Sequence, residues 1–320
     1  MNSYETTIFS SEQQNTTMNT DAIKVSTGFI KINPTTELYY ELRSPQCSQV
    51  TSKVIMIMGA FATLKHFDEQ AQFIVNHFAH YSTPIEILTY DHRGIGKSLT
   101  TTSRVRQTTR ILANDALCLI EKVWTGNESI HVYGASLGGM IAQELALLLI
   151  KSKRLKSLYL GVTSRGSYIR PMAMLGHSVW SLLMPFLIKK DHERMVRDVL
   201  LPASFSAAAL KVSGERYATL WINDYNQWWA FDNQDACASQ CSAAASHYLS
   251  NDEIRLICSV GIPITVQISL KDKLISPKKQ EELAKLLNAK TAIFDQGHMG
   301  DDDVQKELFR AFIQHLENAN

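Results

Sequence analysis

The stretch His131–Ala146, HVYGASLGGMIAQELA, passes from an apolar β-type run into a helical one through Gly134-Ala135-Ser136-Leu137-Gly138. No spacer residues separate the strand, the Gly-x-Ser-x-Gly turn and the helix, so the serine falls on a sharp bend. Glycine two positions before and two after leaves room for the strand and helix to approach, and the strained serine exposes its hydroxyl above the sheet edge. The following helix points its N-terminus at the same spot, where the Leu137 N–H can bond a developing oxyanion. A serine in such a turn can also do no more than cap the helix, so the flanking sequence has to decide.

The flanks read as alternating strands and helices. Residues 53–58 (KVIMIM) form a continuous apolar run of the kind buried on both faces, ending at Gly59. A helix near His66 follows, with Phe67, Ala71, Ile74, Val75 and Phe78 on one stripe. The alternation continues through a strand at 85–90, a helix at 110–124, the 131–146 unit and a strand at 155–162. It resumes with strands near 262–269 and 290–296, each followed by a helix. Ser276-Pro277 and Asp301–Asp303 mark the starts of those last helices. Strands alternating with helices imply crossover connections, and hence an α/β fold: a mostly parallel sheet covered by helices on both faces. A hairpin about Asn33-Pro34 precedes it.

Between Arg165 and Arg255 the rhythm fails, and the composition turns helical, rich in Ala, Met, Leu and Trp. The expected organisation is a tail over 1–22, a first core segment over 23–164, a helical insertion over 165–255 after the sixth strand, and a second core segment over 256–320. Within the insertion, residues 171–188 approach membrane-span length but contain Gly176, His177, Ser178, Ser181 and Pro185. A buried or cleft-lining helical pair is the reading, with interfacial lipid contact open and no transmembrane segment expected.

A formal net charge of +1 over 320 residues argues against a nucleic-acid surface. Five cysteines without a CxxC pair read as reduced thiols. The polar N-terminus lacks the basic start and apolar core of a signal peptide, so the cytoplasm is the expected compartment.

Residues 90–98, YDHRGIGKS, end like a phosphate-binding loop, but the position of that loop's first glycine is Asp91. A carboxylate there repels phosphate. Gly94 and Gly96 instead relieve a tight turn, with Asp91 expected to bond loop amides and Arg93.

At GASLG the chain resembles the α/β-hydrolase family, and DHRGIGKS resembles that family's Asp-x-Arg-Gly-x-Gly-x-Ser loop. The resemblance spans about Val54 to His298 and implies a helical cap where the insertion lies. It also implies a nucleophile, Ser136, which needs a histidine base oriented by an acid. His298, in FDQGHMG just after the last apolar strand, stands where the family's catalytic histidine resides. Asp272 follows the preceding strand and completes the order Ser, Asp, His, with Asp295 as rival. The second oxyanion donor, beside Leu137, falls by position on Ala60, with Phe61 as the other choice. Met58, where the family often has histidine, and Ser269, where glycine is frequent ahead of the acid, depart from the pattern.

The implied activity is hydrolysis of an ester-like bond in a small molecule through an acyl-enzyme, with neither metal nor organic cofactor. Phe61, Met184, Trp228 and Trp229 are candidates to line an apolar substrate cleft. The alternative from another class is a hydrolase-fold sensor that binds a small molecule with little turnover. The sequence does not specify an oligomeric state.

Overall fold

Val54, Met56 and Met58 pack on one side of the central sheet, while Ile55 and Ile57 pack on the other. This period of two makes the apolar run a strand with both faces covered. The computed structural model describes residues 6–7, 23–46, 50, 52–79, 83–101, 107–167, 192–228 and 234–320. In chain order the elements are β1 (Thr6–Thr7), β2 (Ile23–Asn33), β3 (Thr36–Pro45), β4 (Ser52–Ile57), α1 (Asp68–Phe78), β5 (Ile85–Tyr90) and β6 (Leu99–Thr100). Then come α2 (Thr109–Val123), β7 (Ile130–Ala135), α3 (Leu137–Lys151) and β8 (Leu155–Gly161). A helical region follows: α4 (His192–Met195), a π-helical turn (Val196–Leu200), α5 (Leu201–Ser204), α6 (Ala207–Trp228), α7 (Gln234–Ser246) and α8 (Asn251–Ser259). The chain closes with β9 (Ile264–Ser269), α9 (Pro277–Leu286), β10 (Lys290–Phe294) and α10 (Asp302–Glu317).

The sheet order is β1-β10-β9-β8-β7-β4-β5-β3-β2, with β6 beside β3. Pairing is parallel from β1 to β5 along that order and antiparallel where β3 meets β5, β2 and β6. The stripe Phe67, Ala71, Ile74, Val75 and Phe78 packs on one face together with Phe312 and Leu316 of α10. The opposite face is covered by Leu112, Leu119, Leu145, Leu149 and Leu283, from α2, α3 and α9.

The structure adds three details to this organisation and corrects one expected contact. Thr6–Thr7 within the expected tail add a parallel edge to β10 through Thr291 and Ala292; the rest of 1–22 lies outside the described residues. Two-residue strands are too short to show a pattern, so β1 and β6 stand beside the six longer strands that precede the insertion. The boundary at 255 falls inside α8, whose start is fixed by a capping box between Ser250 and Glu253 and which packs on α3. Arg93 bonds Asp115 on α2 rather than Asp91, with Nε 2.6 Å from Oδ2 and Nη2 on Oδ1.

Asp91 does bond loop amides: Oδ1 accepts from Leu64 N at 2.8 Å and Oδ2 from Lys97 N at 2.9 Å. Gly96 has φ 57°, and a Cβ there would strike the Asp91 carboxylate. Lys97 Nζ lies 4.4 Å from the centre of the Tyr39 ring. His92 Nε2 is 2.9 Å from the Met58 carbonyl, tying this loop to the one after β4. Among the described residues no helix is long and apolar enough to cross a membrane; 171–188 lies outside them.

Candidate active site

In open α/β sheets, ligands bind outside the carboxyl ends of the strands, and the predicted residues gather there: Ala60 after β4, Ser136 after β7, Asp272 after β9 and His298 after β10. Ser136 sits at φ 56°, ψ −121°, a conformation that costs a non-glycine residue about 1–3 kcal/mol. The bend is held from both sides. Ser136 N donates to Gly161 O at 2.9 Å, while Ser136 O accepts from Gly139 N at 3.0 Å and Thr163 Oγ1 at 2.8 Å. The flanking glycines are sterically required: a Cβ at Gly134 would lie 2.7 Å from Ala142 Cβ and also meet the Gly138 carbonyl, and one at Gly138 would lie 2.5 Å from the Met58 carbonyl oxygen. The strained serine is thus a product of packing, not merely of local propensity.

His298 Nδ1 lies 2.7 Å from Asp272 Oδ2. The Asp272 side chain is fully buried, and its oxygens are otherwise filled by Leu274 N (2.8 Å), Ile275 N (3.0 Å) and Gln280 Nε2 (2.8 Å). These three donors fix the carboxylate, which in turn fixes the ring with Nδ1 toward the acid and Nε2 away from it. Asp295 points to solvent and pairs with Lys271 at 2.7 Å. Ser269 has a task of its own: its N donates to Gln280 Oε1 and its Oγ accepts from Gln296 Nε2.

Ser136 and His298 line one cavity of about 250 Å³, together with Ala60, Phe61 and Leu137. Among the described residues the Ser136 hydroxyl makes no hydrogen bond. Phe61 N donates to Gln240 Oε1 at 2.9 Å, whereas Ala60 N has no partner among the described contacts. Phe61 (φ 63°), Ser136 (φ 56°) and Val162 (φ 42°) are all positive-φ residues and all line the cavity, so backbone strain concentrates here.

Met184 and Trp229 lie outside the described residues, and of Trp228 only the helical backbone is described. Sequence reading missed Trp221 of α6, Ser204 of α5 and Gln240 of α7. Ser204 O accepts from Met299 N at 2.8 Å, and Gly297 packs so closely on Ser204 that a Cβ would lie 2.6 Å from that oxygen. The helical region therefore grips the loop that carries His298. Cys241 lines the cavity too, but burial pushes its thiol up to about 12, which leaves it protonated and unreactive. Among the described residues no cluster of His, Cys, Asp or Glu is set to hold a metal.

A family model described as the alpha/beta hydrolase fold matches residues 54–301. The structure is similar to the enol-lactonase of Burkholderia xenovorans LB400, with a TM-score of 0.70 and 17% identity, covering 91% of this chain and 100% of that one. It is also similar to a malate-bound esterase from Thermogutta terrifontis (TM-score 0.69, 15% identity, 92% and 99% of the two chains). An esterase from Exiguobacterium antarcticum gives a TM-score of 0.68 at 17% identity, with 90% and 98% covered. A search of curated proteins by sequence returned no match.

Proposed function

The chain belongs to the alpha/beta hydrolase fold family, and from that premise we propose that it is a serine hydrolase cleaving a carboxylic ester or related acyl bond of a small or medium, largely apolar substrate. The observation that carries the reading is His298, paired with the buried Asp272 and lining one cavity with a serine held at positive φ. His298 Nε2 takes the Ser136 proton as Oγ attacks the carbonyl carbon. The Leu137 and Ala60 N–H groups hold the oxyanion, aided by the N-terminus of α3. Collapse expels the alcohol, which receives the proton from His298, and leaves an acyl-enzyme; water activated by the same imidazole releases the acid. Asp272 holds the ring's tautomer and offsets the imidazolium charge. The helical segment between β8 and β9 serves as the cap, with Phe61 and Trp221 lining the acyl cleft beside the proposed Met184, Trp228 and Trp229. Esterases and an enol-lactonase are similar in fold, which suits ester or lactone substrates.

The test is covalent. A fluorophosphonate probe is expected to label Ser136, and Ser136→Ala to abolish both labelling and hydrolysis of short p-nitrophenyl esters. Labelling elsewhere, or unchanged turnover in the variant, would refute the assignment. Ligand-dependent partner binding with negligible turnover would instead support a sensor on the same fold.

A further inference from the structure

The cavity is not uniformly apolar. Gln267 on β9 is in register with Gly161 on β8, which is in register with Ala135 on β7, the residue before Ser136. Gly161 has no side chain to fill the space above it. A Cβ built there would lie 3.6 Å from Gln267 Oε1, 3.6 Å from the Tyr133 hydroxyl and 3.7 Å from Ala135 Cβ. The amide oxygen of Gln267 and the Tyr133 hydroxyl thus come together over Gly161, on residues that line the cavity, one residue from the proposed nucleophile.

These groups have hydrogen-bonding capacity to spare. Gln267 lines the cavity, its Oε1 accepts one long bond, from Tyr159 OH at 3.4 Å, and no hydrogen bond of its Nε2 is found among the described residues. Burial pushes the Tyr133 hydroxyl up to about 12, so it stays a neutral donor. Gln305 also lines the cavity. Among the described lining residues there is no Lys, Arg, Asp or Glu, so a charged group would be buried there without a counter-charge. A plain alkyl chain would strip water from the amide and the phenol without replacing their bonds.

We propose that the space above Gly161 is a subsite for an uncharged oxygen, a ketone or hydroxyl close to the scissile carbonyl, so that the substrates are neutral oxo- or hydroxy-substituted esters or lactones. The substrate class rests on the serine-hydrolase reading; the binding site itself does not. A purely apolar cleft has the opposite preference, because exchanging CH2 for C=O weakens apolar burial.

The experiment is calorimetry on Ser136→Ala, which needs no turnover, with two matched pairs: ethyl 3-oxohexanoate against ethyl hexanoate, and 2-oxopropyl hexanoate against propyl hexanoate. In at least one pair the ketone should bind about tenfold tighter or more, the pair showing it fixing which side of the scissile bond the subsite takes. Adding Gln267→Met, or Tyr133→Phe, should bring that ratio to within about threefold, with the plain ester binding no weaker than before. Equal or weaker ketone binding in both pairs, or a ratio that survives both substitutions, overturns the subsite. Lack of fluorophosphonate labelling and of turnover in the unmodified protein would instead overturn the hydrolase reading and leave this binding comparison intact.

Discussion

His298 Nδ1 and Asp272 Oδ2 are 2.7 Å apart, and the carboxylate that orients the ring is itself fully enclosed, held by two backbone amides and the Gln280 side chain. Asp272→Asn keeps an acceptor for the Leu274 and Ile275 amides, so the chain is expected to fold. The new Nδ2 donor, however, faces two donors, His298 Nδ1–H and Gln280 Nε2. The ring then turns or changes tautomer, and turnover of p-nitrophenyl esters should fall by about 10³–10⁴-fold. Activity within tenfold of the unmodified protein would remove Asp272 from the site.

The serine bend makes a sharper steric prediction. Gly138→Ala places a methyl against the Ile57 carbonyl and 2.5 Å from that of Met58, backbone atoms of a central strand and its exit that cannot move aside. A loss of about 3 kcal/mol or more, or failure to accumulate folded protein, is expected. Gly214→Ala in α6 is the control: its nearest neighbour is 3.8 Å from the added carbon, so helix propensity should stabilise it by about 0.5–1 kcal/mol. Thermal melts of both variants check the pair, and similar melting temperatures would contradict the geometry.

That contrast also separates what the sequence reveals from what it conceals. Gly134 and Gly138 meet each other across one turn, so a five-residue pattern exposes them, and the order of Ser136, Asp272 and His298 follows from strand ends already evident as apolar runs. Gln240 is different. It bonds Phe61 across 179 positions from a helix with no periodic signature, and Gln280 supports Asp272 from a helix face that looks like any polar one. Arg93 turned to Asp115 for a similar reason: α2, not the loop, supplies its counter-ion, and no local pattern shows which helix will pack there.

Gln240 couples the helical region to the proposed oxyanion loop, and this too is measurable. Its Oε1 satisfies the N–H of Phe61, a residue held at φ 63°, while its own side chain is fully buried. Gln240→Leu leaves that N–H unpaired and should cost about 1–3 kcal/mol. Because Phe61 follows Ala60 directly, the loop loses its anchor next to the donor, and ester turnover should fall with little change in KM. Unchanged kcat with lowered stability would confine Gln240 to a packing role.

Acid should unfold the protein through four enclosed histidines. Burial holds His92 and His131 down at about 4, and His247 and His315 down at about 3. Ser157 Oγ bonds both His131 Nδ1 (2.7 Å) and His315 Nε2 (2.9 Å), and Thr265 takes the other His315 nitrogen, so the pair shares one small polar pocket that a charge would disrupt. A histidine whose folded value is depressed contributes stability that is complete above its ordinary value of about 6.5 and is lost as pH falls toward the folded value, with a slope approaching about 1.4 kcal/mol per pH unit each. Asp91 works the other way. Burial raises it to about 6, so the native state takes its proton first and gains stability as pH drops from about 6 to 4. Burial also raises Asp115, Glu144 and Asp301, which oppose the histidines in the same sense as Asp91, while Glu41 and Glu86 are lowered and lose stability with them. The four histidines are each depressed by burial across this range, and the melting temperature should fall between pH 6.5 and 4.5. His247→Gln, which keeps a polar partner for Thr109, removes one of the four histidine protons and should flatten that slope. A melting temperature independent of pH across this window would show that these rings are not held neutral in the fold.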